Sequence, residues 1–324
     1  MARRKLVLGL SGLGLVAVVL ARRQTAGWRA AHDPAGPLRL PDGTSMIEVS
    51  DGARLAVTDA GSGPLVVLGH GWTNSRLVWA AVATRLIASG HRVVLWDQRG
   101  HGQSTVGSEG MTVARLGCDL RDLLVAVDAK DAVVVGHSMG GMTIMSLINQ
   151  DPDALASRAR GIVLVSTAAA GMGRGGQADV LTSKVVGSRA VTRAVGGRMG
   201  PRLVRGAVGR RPVHGHLETT ARMFAETDAV TRAELFRSMA AMDLRPGLAA
   251  CPVPATVVCG SRDYLTRRHL GREIADLIPG ARYVEIPDGG HMLPFEAPDR
   301  LFSLIESAGG AADAAPVAVA AVRA

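Results

Sequence analysis

The sequence predicts an α/β fold built on a mostly parallel sheet with helices on both faces. Three observations predict it. Short aliphatic runs alternate with helical patterns along most of the 324-residue chain, as parallel strands joined by helical crossovers require. The run at 132–135 is Ala-Val-Val-Val, with no polar break, which suits a strand buried on both faces. Between that run and an apolar stretch ending at Ile148 stands Gly136-His137-Ser138-Met139-Gly140. A G-x-S-x-G turn of this kind joins a strand to a helix and needs small neighbours, because other backbone passes close by.

The elements follow in order. Arg3-Arg4-Lys5 precedes an apolar or small stretch at 6–21, closed by Arg22-Arg23. That stretch is shorter than the ~20 residues that span a bilayer unaided, but flanking arginines can snorkel. Residues 1–23 are therefore expected to form an uncleaved hydrophobic anchor, with membrane association as the localisation. Export through a signal peptide is the alternative, disfavoured because no clear cleavage site follows. Residues 24–44 predict a linker, and 45–307 the folded domain. Residues 46–49 and 54–57 surround Asp51-Gly52 and predict a hairpin. Buried strands are expected at 64–68 and 91–96, with a helix at 79–88 between them that Gly90 stops. Residues 113–127 are helical by the spacing of Leu116, Leu120, Leu123, Leu124 and Val127. After the central strand come a strand at 162–165, an insertion at about 168–248, and a strand at 255–259. A helix near 268–277, a strand at 281–286 and a helix from about 298 to 306 complete the domain. Residues 308–324 predict a disordered Ala-rich tail.

Charge is placed unevenly. The net charge is +9 at pH 7, and residues 168–248 carry thirteen Lys or Arg against six Asp or Glu. No basic tail is present, so nucleic acid is not expected as a partner. Residues 184–211 hold eight basic residues and no acidic one, with Val191, Val195, Met199, Leu203 and Val208 interleaved. A solvated basic face is the favoured reading. Membrane contact through residues 6–21 and this basic segment is the alternative. Cys118, Cys251 and Cys259 form no C-x-x-C pair. Eight extended residues would hold Cys251 and Cys259 about 26 Å apart, so no disulfide framework is expected.

A serine hydroxyl is a poor nucleophile at neutral pH until a base takes its proton, and histidine is the usual base. Of the nine histidines, His291 is singled out by Asp288-Gly289-Gly290-His291, just past the strand at 281–286. That is the end of the sheet where open α/β folds bind ligands. Asp263, in Gly260-Ser261-Arg262-Asp263 directly after the strand at 255–259, would fix the imidazole tautomer and stabilise the imidazolium. His137 is read as packing, because neighbours at a strand end point opposite ways. His214 and His216 are too thin a signal for a metal site.

The chain order Ser138, Asp263, His291 is one of the known serine–histidine–acid orders. With it the sequence resembles the α/β-hydrolase superfamily over about residues 45–306. Gly69-His70-Gly71-Trp72 resembles the family's oxyanion loop, and Asp97-Gln98-Arg99-Gly100-His101-Gly102-Gln103-Ser104 its D-x-R-G-x-G-x-S segment, read here as structural support. Gly289-Gly290-His291 with Pro294, Glu296 and Pro298 resembles its histidine loop. The resemblance implies Ser138 as nucleophile, His291 as base, Asp263 as orienting acid, and the Trp72 and Met139 N–H groups as oxyanion hole. It also implies a helical lid at about 168–248 and a reaction that needs no cofactor and no metal. The substrate implied is a small-molecule or lipid-like carboxylic ester, cleaved through an acyl-enzyme. The alternatives are a cofactor-free haloperoxidase (perhydrolase) or a carbon–carbon bond hydrolase with the same three residues, and less favoured, a non-catalytic binding scaffold. Epoxide- and halide-handling relatives use aspartate where this chain has Ser138, and Tyr264 and Tyr283 lie outside the lid. Perhydrolase-like members often carry proline where this chain has Thr73. Within the insertion, Thr231-Arg232-Ala233-Glu234 predicts a capping box. It precedes Leu235, Met239 and Met242 on one helical face, expected as core or as an adaptable face against an acyl group.

Overall fold

The computed structural model describes residues 38–173 and 175–308. The anchor or signal segment, most of the linker (24–37), Arg174 and the tail from 309 lie outside the described residues.

Eight strands form one sheet: β1 Thr44–Glu48, β2 Arg54–Ala60, β3 Leu65–Gly69, β4 Arg92–Trp96, β5 Ala132–His137, β6 Ala159–Val165, β7 Ala255–Gly260 and β8 Arg282–Ile286. Their order is β1-β2-β4-β3-β5-β6-β7-β8. The pairs β1–β2 and β2–β4 are antiparallel, and the other five are parallel. The longer helices are α1 Ala80–Ala88, α2 Val113–Ala126, α3 Met139–Gln150, α4 Gln177–Val186, α5 Arg189–Gly196, α6 His214–Glu226, α7 Ala229–Ala241, α8 Arg268–Leu277 and α9 Pro298–Ser307.

The period of two decides which core each strand residue enters. Ala132 and Val134 of β5 join α2, α3 and α8 on one face. Val133 and Val135 join α1 and α9 on the other. All four are essentially inaccessible, which is why this strand reads as an unbroken apolar run. β6 begins at Ala159, three residues before its aliphatic run, because Ala159 pairs with Ala132 ahead of an irregularity in the ladder.

The Asp97–Ser104 segment is pinned by buried ion pairs. Arg99 bonds Asp119 at 2.6 Å and Asp51 at 2.9 Å and donates to the Gly110 carbonyl at 2.8 Å. Arg76 pairs with Asp97. Arg99→Met would leave the buried Asp51 without its cation and Asp119 with Arg115 alone, at 3.2 Å. It is expected to cost about 3–5 kcal/mol, read as a lowered urea midpoint with an unchanged m-value.

The insertion is helical. In its basic segment Val186, Val195 and Val208 are buried, and Val191 and Leu203 pack against the same core. Arg189, Arg193, Arg198, Arg202, Arg210 and Arg211 face outward. The interleaved apolar residues are thus largely used inside the fold, with Met199 left 51% exposed. The cap of α7 corrects the expected capping box. Asp228 is the cap, and its carboxylate accepts from the Val230 and Thr231 N–H groups. Thr231 lies inside the helix and packs against Gly100. One carboxylate satisfying two N–H groups displaces the weaker threonine cap. Among the described residues no helix is long and apolar enough to cross a membrane.

Candidate active site

Ser138 sits between β5 and α3 with φ 52° and ψ −115°, a left-handed conformation that side chains rarely adopt. The glycines around it are required by close approach. A Cβ on Gly136 would lie 2.3 Å from the Gly140 carbonyl oxygen, and one on Gly140 would lie 2.5 Å from that of Gly69. The turn is also fixed by hydrogen bonds. Ser138 N–H donates to the Val165 carbonyl at 2.8 Å, and Thr167 Oγ1 donates to the Ser138 carbonyl at 2.7 Å.

Three residues from three loops meet here. His291 Nε2 stands 3.0 Å from Ser138 Oγ. His291 Nδ1 stands 2.9 Å from Asp263 Oδ2. With Nδ1–H donating to the carboxylate, Nε2 is left to accept the serine proton. Asp263 also accepts from the Leu265 N–H, the Thr266 N–H and Thr266 Oγ1, at 2.7–2.9 Å. Burial alone would raise the Asp263 carboxyl. The His291 imidazole and these donors outweigh it and hold the group below the ordinary carboxylate value.

The loop carrying His291 is held from two sides. The His291 N–H donates to the Ala207 carbonyl of the insertion at 2.9 Å. Glu296 accepts from the N–H groups of Gly209, Gly290 and Met292 at 2.7–3.0 Å, so one carboxylate ties the histidine loop to the insertion. Its carboxyl is raised by burial, against those donors. His137 is not mere packing. Its Nε2–H donates to the His291 carbonyl at 2.8 Å, and its ring lies 5.0 Å from the His291 ring.

The two N–H groups expected to face an oxyanion belong to Met139 and Trp72. Met139 opens α3, so its N–H has no i−4 acceptor within the helix. In the other turn, Thr73 N–H donates to His101 Nε2 and Asn74 N–H to the Gly71 carbonyl. The Trp72 N–H has no hydrogen-bond acceptor among the described residues. Two buried histidines support it, His101 beneath Thr73 and His70, whose Nε2 accepts from the Gln98 N–H at 2.9 Å.

A cavity of about 120 Å³ opens beside Ser138 and His291, walled by Trp72, Phe224, Phe236, Met142, Met239 and Leu265 among others. The insertion contributes its roof through α6 and α7. Met239, Phe236 and Ala240 line the cavity, and Leu235 and Met242 pack with Met239 into the main core, so the expected methionine face serves both. A larger surface groove of about 1020 Å³, lined by Leu38, Arg198, His214 and Glu226 among others, touches none of the five site residues. His214 pairs with Glu218 at 2.9 Å, and His216 stacks on Phe295 at 4.7 Å.

A serine in a strained strand-to-helix turn, joined through histidine to a buried aspartate, is the arrangement that serine-nucleophile hydrolases use. Residues 66–304 match the Alpha/beta hydrolase family, and the chain belongs to that family. It is 37% identical over 91 residues to a non-heme chloroperoxidase, CPO-A1, of Kitasatospora aureofaciens, spanning 28% of this chain and 33% of that protein. It is 28% identical over 262 residues to 3-oxoadipate enol-lactonase 1 of Acinetobacter baylyi, spanning 80% and 94%. Among solved structures, a thermophilic esterase of Thermogutta terrifontis superposes with a TM-score of 0.70 at 25% identity, spanning 82% and 97%.

Proposed function

We propose that the protein is a serine hydrolase of small carboxylic esters, acting through an acyl-enzyme. The observation that carries this reading is the unbroken line from Ser138 Oγ through His291 to Asp263, at 3.0 Å and 2.9 Å. Ser138 Oγ attacks the ester carbonyl carbon as its proton passes to His291 Nε2. The carbonyl oxygen becomes an oxyanion between the Trp72 and Met139 N–H groups, where one lost donor costs roughly 3 kcal/mol. The imidazolium, held by Asp263, gives the proton to the departing alcohol. Water then attacks the acyl carbon through the same histidine, releasing the acid and restoring Ser138.

Cavity size points to short acyl groups. A dry cavity of ~150 Å³ takes a benzene ring, and this one is about 120 Å³. The insertion, roofing the cavity with α6 and α7, acts as its lid in this reading. Fluorophosphonate labelling tests the proposal: the full chain should label and Ser138→Ala should not. Turnover of 4-nitrophenyl esters should peak at short chains; labelling without any ester turnover would sink the esterase reading. Asp263→Asn is expected to lower kcat by about 10⁴, measured at saturating 4-nitrophenyl butyrate.

The likeness to a chloroperoxidase keeps perhydrolysis as the second reading. Thr73 weighs against it. Its φ is 59° and its N–H donates to His101, whereas proline has φ near −65° and no N–H. The His-Gly-Trp-Pro loop of perhydrolase-like members therefore does not fit this backbone.

A further inference from the structure

Most polar side chains lining the cavity are already engaged. Thr73 Oγ1 donates to the Trp72 carbonyl, Thr220 Oγ1 to the His216 carbonyl, and Thr266 Oγ1 to Asp263. The Trp72 indole N–H has no partner among the described residues, and neither has the one amide on the wall, that of Asn74. Asn74 lines the cavity and is only 6% exposed. Its backbone N–H is used within its own turn, but its side-chain amide meets no hydrogen-bond partner among the described residues. Its amide atoms are not among the fully buried unpaired ones, so they stay open to the cavity, where a ligand can take up donors and an acceptor that the protein leaves unused. The position a Cβ on Gly71 would take lies 3.1 Å from Ser138 Cβ and 3.2 Å from Asn74 Nδ2. Amide and nucleophile thus flank the same glycine.

We propose that Asn74 is a specificity residue that hydrogen-bonds a second oxygen on the acyl part of a small ester. The inference rests on the reading of Ser138 as nucleophile. The leaving group must lie against His291, which gives it its proton. Asn74 belongs instead to the turn that carries the Trp72 donor, so it faces the acyl side. An amide offers two donor hydrogens and an acceptor oxygen, and it suits a hydroxyl or carbonyl oxygen close to the scissile carbonyl. Acyl groups that combine a short carbon skeleton with such an oxygen match both the size of the cavity and its single unpaired amide.

The test compares 4-nitrophenyl 3-hydroxybutyrate with 4-nitrophenyl 3-methylbutyrate, which differ by hydroxyl for methyl at nearly constant shape. Sites built to bond a hydroxyl discriminate strongly against analogues that lack it. The unaltered protein is expected to prefer the hydroxy ester by at least about fivefold in kcat/KM. Asn74→Leu and Asn74→Ala should each cut that preference at least about threefold, and Asn74→Gln should restore part of it. A smaller preference in the unaltered protein, or one that survives either substitution, overturns the proposal. Should Asn74→Leu not fold, the ratio in Asn74→Ala decides. Failure of the esterase reading is seen separately, as hydrolysis of both esters that persists in Ser138→Ala.

Discussion

Replacing Ser138 by Ala is expected to lower kcat/KM for 4-nitrophenyl butyrate by a factor on the order of 10⁵–10⁶. His291→Ala should cost nearly as much, and the double variant little more than either alone. Side chains that act as one relay are not additive: once the hydroxyl is gone the imidazole has no proton to take. Their geometry makes this expectation sharp, because His291 Nε2 is 3.0 Å from Ser138 Oγ and Ser138 is held in a single strained conformation. A double variant losing the product of the two single effects would mean that the residues act independently. Neither substitution should lower stability much, since the loops are held by backbone bonds to Val165 and Ala207 rather than by these side chains.

Acid is expected to unfold the protein steeply. Three buried histidines are kept neutral by burial: His70, with its pKa pushed down to about 4, and His101 and His137, each down to about 3. In the unfolded chain each takes up a proton near pH 6.5. Between about pH 6.5 and pH 4 the unfolded state therefore binds up to three more protons than the folded state, and stability rises with pH across that window. Each group contributes about 1.4 kcal/mol per pH unit, so the three together give a slope of roughly 4 kcal/mol per pH unit. Their stabilisation is fully present above the unfolded pKa and is lost progressively as pH falls below it. Glu296 works in the opposite sense at the acid end, because burial raises its carboxyl. Denaturant midpoints at half-unit steps from pH 8 to pH 5 measure the slope. A flat profile through that range would show that these rings charge inside the folded protein.

The sequence by itself determined the sheet and the three side chains that meet at its edge, Ser138, His291 and Asp263, because both leave local marks. A strand buried on both faces must be continuously apolar, as 132–135 is, and a serine in a sharp strand-to-helix turn must have glycines where an added Cβ would come within 2.3 Å of backbone. Asp263 and His291 follow β7 and β8 directly, so their placement needed only the direction of those strands. Membership of the Alpha/beta hydrolase family follows from the same marks. What tertiary structure alone decided has no period and no motif. His137 supports the His291 carbonyl across 154 positions of chain, and Glu296 joins Gly209 to Gly290 through one carboxylate. Asp228 displaced the expected Thr231 cap by accepting from two N–H groups, while Thr231 packs against Gly100 from a distant part of the chain. The volume of the cavity, and an amide at Asn74 without a partner, depend on how the insertion settles over the sheet. Such contacts join residues far apart in the chain, and chain spacing carries no record of a distance that only packing sets.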